Sequence, residues 1–581
     1  MATKKHAARR GHAPAAAVAV APAKPRAPWG WYAAIAAAAT VLTLALYGPA
    51  LHGPFLFDDS FLPFARFGDN PLGAWLRSTR PLLMLTYWMN VRLSGDDTFS
   101  YHVVNVLLHC AASGMMFVVV RRLLEWYGTE KSRLNLMAGF AAAVFLLHPV
   151  QSEVVAYLAG RSEALSVLLF LTAYAIFLYR RTVAASWANV VAVLAAFALS
   201  LAAKEHTIAL PALLLLTDFW WNPGFTLEGI RRNWRLYAPM ALGAVAGVVF
   251  FLPTILYSTS VGFRLKGVTW YQYFFTQCRA LFVYLWLFVF PSHQSADWGF
   301  PISQTILDRG ALIGLIALLS LAGLAWFYRR KFKLASFGFF AFLLLMAPTS
   351  SFFPIRDAIT ERRLYLAMLG LLLIVVDFLL RWKVERRKLA AVCAGVAVIL
   401  AVLTSIRAQV WSSELTLWQD TVQKSPDNWR GHSQLASAYY NLGRCSEAAG
   451  EYQRTAQLKR PDYNLLVNWA LAYDCLNQTD EALVHLRQAA ALEPRAHVYS
   501  QIGMIYGKRA EWAKAMEALA TAQRLDPNFA VTYAYEGLVH LATNQPAAAV
   551  PEFQHALVLD PKLQQASDGL AQAEARLRAG H

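Results

Sequence analysis

Charge is scarce in this chain. Asp, Glu, Lys and Arg make up only 15% of its 581 residues while 57% are apolar, a balance that excludes an ordinary soluble multidomain protein and fits a multispanning membrane protein. Cysteine is scarcer still. The five, at 110, 278, 393, 445 and 475, show no CxxC spacing, so they offer no metal or redox motif and read as small buried apolar residues. Cys445 and Cys475 could pair only in an oxidising compartment. There is no P-loop, no dinucleotide fingerprint, no G-x-S-x-G elbow and no metal-ligand spacing. Nucleotide-driven work is therefore excluded, no cofactor is expected, and a divalent metal is left open. Acids are fewer than bases, 36 against 53, but the bases cluster between apolar runs. Positive-inside topology explains them better than nucleic acid does.

Residues 1–29 carry six Lys/Arg and no acid among Ala and Pro, and read as a disordered basic cytoplasmic tail. The apolar run Trp31–Tyr47 is long and lacks an A-x-A exit, which favours a retained span over a cleaved leader. Residues 30–408 then form a membrane domain with twelve apolar runs of near-spanning length. Placing the tail inside puts Arg121 with Arg122, then Arg180 with Arg181, then Arg231 with Arg232 inside on alternate turns. The clusters Arg329–Lys333 and Arg381–Lys388 follow only if one run does not cross, and 274–291 is the expected re-entrant segment. The expectation is thus an all-α bundle of about eleven spans, with everything beyond residue 408 outside.

Residues 409–581 have a soluble, periodic texture. Pro494, Pro527 and Pro561 recur at 33 and 34 residues, and Ala448, Ala482, Ala515 and Ala549 at 34, 33 and 34. Tyr439, Tyr473 and Tyr506, with Gly503 and Gly537, complete a tetratricopeptide signature of four repeats, and 564–578 reads as the solvating cap. Such an array presents a concave surface suited to extended peptide; its plainer reading is a scaffold or oligomerisation arm.

Ionisable residues beside a bilayer are costly, so those grouped on one face are functional candidates. The predicted outer face carries Asp58-Asp59, whose adjacent charges suit a general base for a hydroxyl but also a helix cap. It carries His148 to Glu163, where Pro149 breaks an apolar run and Glu153, Arg161 and Glu163 follow. Arg161 can offer a planar fork to phosphate, and His148 is equally readable as a satisfied interfacial histidine. Lys204-Glu205 reads as a tight turn or as part of a site. Arg356 to Tyr365, including Glu361 and Arg362, is placed to hold an anionic headgroup or to serve as a snorkelling anchor.

Phe57-Asp58-Asp59, Arg80-Pro81 with Thr86-Tyr87 and Asn90, Asn105 to His109, His148-Pro149-Val150 with Glu153, Gly160-Arg161, Lys204-Glu205 and Glu361-Arg362 with Tyr365, taken in order, resemble the transmembrane and tetratricopeptide repeat-containing O-mannosyltransferases. The resemblance runs from about residue 50 to the C-terminus. It implies a glycosyltransferase C fold that moves a mannose-like sugar from a polyprenyl-phosphate carrier to a Ser/Thr hydroxyl on the lumenal or periplasmic face. It implies Asp58 as base with Asp59 beside it, Arg161, Glu361, Arg362 and Tyr365 as donor or phosphate contacts, and Arg80, His148, Glu153, Lys204 and Glu205 in support. After Tyr365 the family has a Pro-Ser pair, whereas this chain runs Leu366-Ala367-Met368-Leu369, which leaves the sugar open. Alanine-rich composition and short loops suggest a bacterial inner-membrane member; a eukaryotic one would sit in the endoplasmic reticulum. The expected partners are lipid-linked sugar, acceptor polypeptide on the repeats, and membrane lipid, with no nucleic acid. The competing readings are a non-catalytic membrane scaffold and a transporter of lipid-linked sugars.

Overall fold

The computed structural model describes residues 29–57, 59, 71–180, 184–257, 262–263, 265 and 267–579. The basic tail and Asp58 lie outside them. All the regular elements among the described residues are helices. Five are long and apolar enough to cross a membrane: Thr98–Tyr127, Leu158–Leu178, Asp308–Phe327, Glu361–Arg381 and Arg386–Val410. A sixth arises if Lys131–Leu147 and Pro149–Ala156, bent by 50°, count as one.

The apolar runs predict eleven. Several of them form helices below the roughly 20 residues a bilayer needs: Trp187–Leu201 has 15 residues and Lys333–Met346 has 14. The run at 274–291 folds within Trp270–Val289, started by a capping box in which Thr269 and Gln272 exchange side-chain and backbone hydrogen bonds. Gln272, Gln277 and Arg279 lower its apolarity.

One continuous apolar core joins the helices Thr98–Tyr127, Lys131–Leu147, Arg161–Leu178, Lys333–Met346 and Leu364–Arg381. The last two make their closest approach at a pair of glycines. A Cβ on Gly370 would lie 2.4 Å from the Gly338 carbonyl oxygen, and a Cβ on Gly338 equally close to that of Gly370. By contrast, the helix Ala311–Phe327 buries only Ala311 and Gly314.

Beyond the last long helix, Glu414–Lys424 leads into four helix pairs: Trp429–Asn441 with Cys445–Leu458, Tyr463–Cys475 with Thr479–Leu492, Ala496–Lys508 with Trp512–Leu525, and Ala530–Ala542 with Pro546–Leu559. Gln564–Ala579 packs on the last pair. The tetratricopeptide glycines sit where helices of a pair cross: a Cβ on Gly503 would meet Leu519 Cγ at 2.6 Å, and one on Gly537 would meet Phe553 Cε1 at 2.7 Å. Cys445 and Cys475 form a disulfide between the first two repeats.

Candidate functional site

The apolar residues before the acids seat their loop against its neighbours. Phe57 packs at a tilt against Trp418 of the first soluble helix at 4.4 Å and meets Tyr157 edge-on at 5.9 Å. Asp59, 1% exposed, accepts from the Leu56 amide at 3.0 Å and from the Ala159 amide at 2.9 Å. Its carboxylate thereby stitches the loop to the segment 148–163. Asp58 itself lies outside the described residues.

Arg161 is expected to contact phosphate, and the structure corrects this. Its guanidinium is fully buried and donates from Nε to Asn105 Oδ1 at 2.9 Å, from Nη1 to Asn90 Oδ1 at 2.6 Å, and from Nη2 to the Tyr101 carbonyl at 3.0 Å. The rings of Tyr87 and Tyr101 flank it, at 4.5 and 5.5 Å. With Nη1 also donating to the Thr86 carbonyl at 3.3 Å, four of its five N–H groups are spent on the fold, so this wholly buried arginine braces three elements.

Arg362 is the opposite case. Its amide and Nη1 donate to the two oxygens of Glu153, at 2.9 and 2.6 Å, and 27% of its side chain stays exposed. Nearby, Lys204 Nζ donates to Glu163 Oε1 at 2.6 Å, with His206 Nε2 at 3.2 Å from Oε2. Arg80 grips Glu205 with both Nε and Nη2, at 2.9 and 2.8 Å. These pairs feel one another's charge: burial lowers the Lys204 pKa, Glu163 opposes that, and Arg80 and Arg362 push it down further. Burial would raise the Glu205 carboxyl, but the Arg80 hydrogen bond and charge outweigh it and hold the group below its ordinary value. Arg80, Lys204 and Arg362 thus converge with Glu153, Glu163 and Glu205 at the starts of five helical segments.

Glu361, Tyr365 and His148 turn inward. Glu361, 1% exposed, accepts from Gln294 Nε2 at 2.8 Å and from the Ser295 amide at 2.7 Å. Tyr365 is buried with its hydroxyl 2.8 Å from His109 Nδ1. His109 Nε2 faces the Leu146 carbonyl at 3.0 Å, which can only accept, so Nε2 carries the proton and the Tyr365 hydroxyl donates to Nδ1. His148 likewise donates to the Phe288 carbonyl and accepts from the Val150 amide. It is a satisfied histidine at the helix break. All three are spent on contacts within the fold, behind the ion pairs.

Sequence reasoning missed Gln294, Ser295, His206 and the set Arg407, Asp420 and Lys424. Gln294 and Ser295 lie in a loop with no motif and become relevant only because the chain returns them to Glu361. A second buried polar cluster lies at the opposite end of the bundle. Asp218, fully buried, accepts from Arg180 at 2.7 Å, Asn233 at 2.6 Å and Tyr237 at 2.7 Å. Asp377 accepts from Tyr127, Arg381 and the Ala335 amide. Both sit at the far ends of helices whose starts carry the outer cluster. Among the described residues no group of His, Cys, Asp and Glu could hold a metal ion.

No family model matches the chain. It is 24% identical over 83% of its length to mouse "Protein O-mannosyl-transferase TMTC3", 26% over 71% to human "Protein O-mannosyl-transferase TMTC1", and 27% over 63% to human "Protein O-mannosyl-transferase TMTC4". It covers 57%, 54% and 55% of those proteins, so the chain spans about half the length of the curated relatives it matches. Among solved structures, MamA is 22% identical, with 26% of this chain and 87% of its own covered at a TM-score of 0.23. YrrB, titled a TPR protein with an unusual peptide-binding site, is 16% identical, with 31% and 88% covered at 0.23. Scores this low carry no argument, and the repeats rest on their own helix pairs. With its apolar helices, its tetratricopeptide array and relatives of one name across most of its length, the chain is a relative of the TMTC protein O-mannosyl-transferases.

Proposed function

We propose that the chain transfers a mannose-like sugar from a polyprenyl-phosphate carrier to a Ser or Thr hydroxyl of a polypeptide, on the face of the membrane that carries the outer cluster and the repeats. Three cations, Arg80, Lys204 and Arg362, gather at one end of the bundle, and Arg362 combines a fixed backbone with a partly exposed fork. That is the observation which carries the reading. A carboxylate pair of the Glu153 type holds an arginine in one direction, and a directed guanidinium is a strong partner for a departing phosphate.

In this reading Asp58 takes the proton of the acceptor hydroxyl. The hydroxyl oxygen forms its bond to the anomeric carbon, the bond from that carbon to the phosphate oxygen breaks with inversion, and the lipid phosphate leaves with the electron pair toward Arg362, with Lys204 and Arg80 adding to the positive field. Asp59 keeps the loop seated through Leu56 and Ala159. Arg161 keeps the helix starts together and does not touch the donor. The eleven-span topology, with the tail inside and the repeats outside, belongs to the same proposal, and the Cys445–Cys475 disulfide supports it because such bonds persist in oxidising compartments.

The test is transfer of radiolabelled mannose from polyprenyl-phosphate mannose to a Ser/Thr peptide by purified protein in lipid. Asp58→Asn is expected to lower the rate by about 10² to 10⁴, the range of a general base. Full activity in Asp58→Asn and Arg362→Gln alike would overturn the assignment.

A further inference from the structure

The loop Pro291–Phe300 crosses between the membrane domain and the soluble array, and its bonds run in both directions. Gln294 spends its side-chain amide twice, on Glu361 Oε2 at 2.8 Å and on the Pro149 carbonyl at 2.9 Å. Those two acceptors belong to the segments that supply the two halves of the key ion pair: Glu361 precedes Arg362, and Pro149 opens the turn that leads to Glu153. A single amide therefore holds together the carriers of both partners. Ser295 takes the other Glu361 oxygen through its backbone.

From the other side, the soluble part holds the loop. Lys424, in the helix Glu414–Lys424, donates from Nζ to the Gln294 carbonyl at 2.7 Å. Lys424 is itself held by Asp420 at 2.6 Å, and Asp420 is held by Arg407 of the last long helix at 2.7 Å. Arg407 is 5% exposed, so this anchor is internal. In the first repeat, Asn428 donates to the Asp297 carbonyl at 3.0 Å, and Arg430 bridges Asp297 and Asp357 at 2.7 and 2.8 Å. These last residues line an open crevice of about 280 Å³ between the loop, residues 356–359 and the repeats. No part of this chain of contacts is a long flexible linker.

We propose that Gln294 is a positioning residue for Arg362, and that the soluble helix Glu414–Lys424 sets it through Lys424, so that the soluble domain is a structural part of the reactive end as well as a platform for acceptors. The inference rests on the function proposed above. It separates two roles that a peptide-binding array would otherwise merge. A platform acts on how tightly the acceptor binds; a brace acts on the rate once everything is bound, because a small displacement of an oriented group costs rate disproportionately.

The experiment measures transfer from polyprenyl-phosphate mannose to a short Ser/Thr peptide and to a long acceptor polypeptide, in wild type, Lys424→Met, Lys424→Arg and, as a control on the repeat surface, Lys508→Met. Lys424→Met is expected to lower kcat about tenfold or more with both acceptors at saturation. Lys424→Arg should restore most of it, while Lys508→Met leaves kcat unchanged. A Lys424→Met enzyme with wild-type kcat, or one in which only KM for the long acceptor rises, would overturn the proposal. Amide hydrogen exchange gives a readout that needs no activity: the Ser295 amide, which is bound to Glu361, should exchange several-fold faster in Lys424→Met. Unchanged exchange there would sink the brace even if wild type transfers no sugar, and absence of transfer in wild type with faster exchange would sink only the function reading.

Discussion

The two ends of the membrane bundle use the same side chains to different purposes. Glu361 and Arg362 stand at the start of the helix Leu364–Arg381 and Asp377 and Arg381 near its end, some fifteen residues or about 22 Å along the axis. Glu205 precedes Leu210–Trp221 and Asp218 lies near its end. At the far end the acids are sealed: Asp218 and Asp377 are wholly buried and each has at least three donors. At the opposite end Glu153 is buried while the Arg362 it holds is 27% exposed, whereas Arg180, held by Asp218, is 3% exposed. An ion pair closed on both sides can only hold the fold, whereas one closed on the acid's side offers an oriented positive charge. Exposure of the cation distinguishes Glu153–Arg362 from Asp218–Arg180, while Arg381, 32% exposed beside buried Asp377, shares the open form.

Four measurements would sharpen or break that contrast. Asp218→Ala should have the largest effect, because it strands Arg180 in the interior. Breaking a buried pair of this kind costs about 3–5 kcal/mol, read as loss of folded protein and a lowered thermal midpoint in detergent. Next, Arg362→Gln should reduce transfer by about 10² to 10³ and also destabilise the chain, because Glu153 is left buried without its partner. The double variant Glu153→Gln/Arg362→Gln should recover much of the stability and none of the activity. Recovery of activity would mean that the outer pair is as structural as the far one.

Third, Cys445→Ser with Cys475→Ser should lower the stability of the repeats by about 2–4 kcal/mol without changing kcat on a short peptide. The smallest effect is at Arg80 and Glu205, whose side chains are 35% and 47% exposed, so solvent screening limits the pair to under about 1 kcal/mol. Because Glu205 is held below its ordinary value, its contribution is present above about pH 4.5. It is lost as the pH falls through the lower, folded value. Thermal midpoints of wild type and Glu205→Gln should therefore converge in acid and differ slightly at neutral pH.

The repeats were legible because a tetratricopeptide pair is a local unit, with its small residues fixed by contacts within about 34 positions. Gly503 against Leu519 and Gly537 against Phe553 are such contacts. The exact helix bounds were not, because apolar composition cannot say that a helix starts after Ser186 or that the chain bends at His148-Pro149. In the candidate site, residue types were legible and partners were not. Glu153 and Arg362 are 209 positions apart, and nothing in either motif names the other. Arg161 looks in sequence like any arginine near a membrane surface; only its bonds to Asn90 and Asn105 reveal a buried brace. The signal that could have found it is those two asparagines, polar residues on otherwise apolar helices.

The glycine contact between Gly338 and Gly370 bears on how such a bundle can move. Two backbones that touch without side chains between them cannot slip past each other, since a shift of one position would drive Leu369 or Leu371 into the Gly338 peptide. The helix Leu364–Arg381 is thereby held in register against Lys333–Met346 at this contact. If a bulky lipid tail is to enter beside it, the yielding must come from weakly held neighbours such as Ala311–Phe327, leaving the charged end still while the wall around it opens.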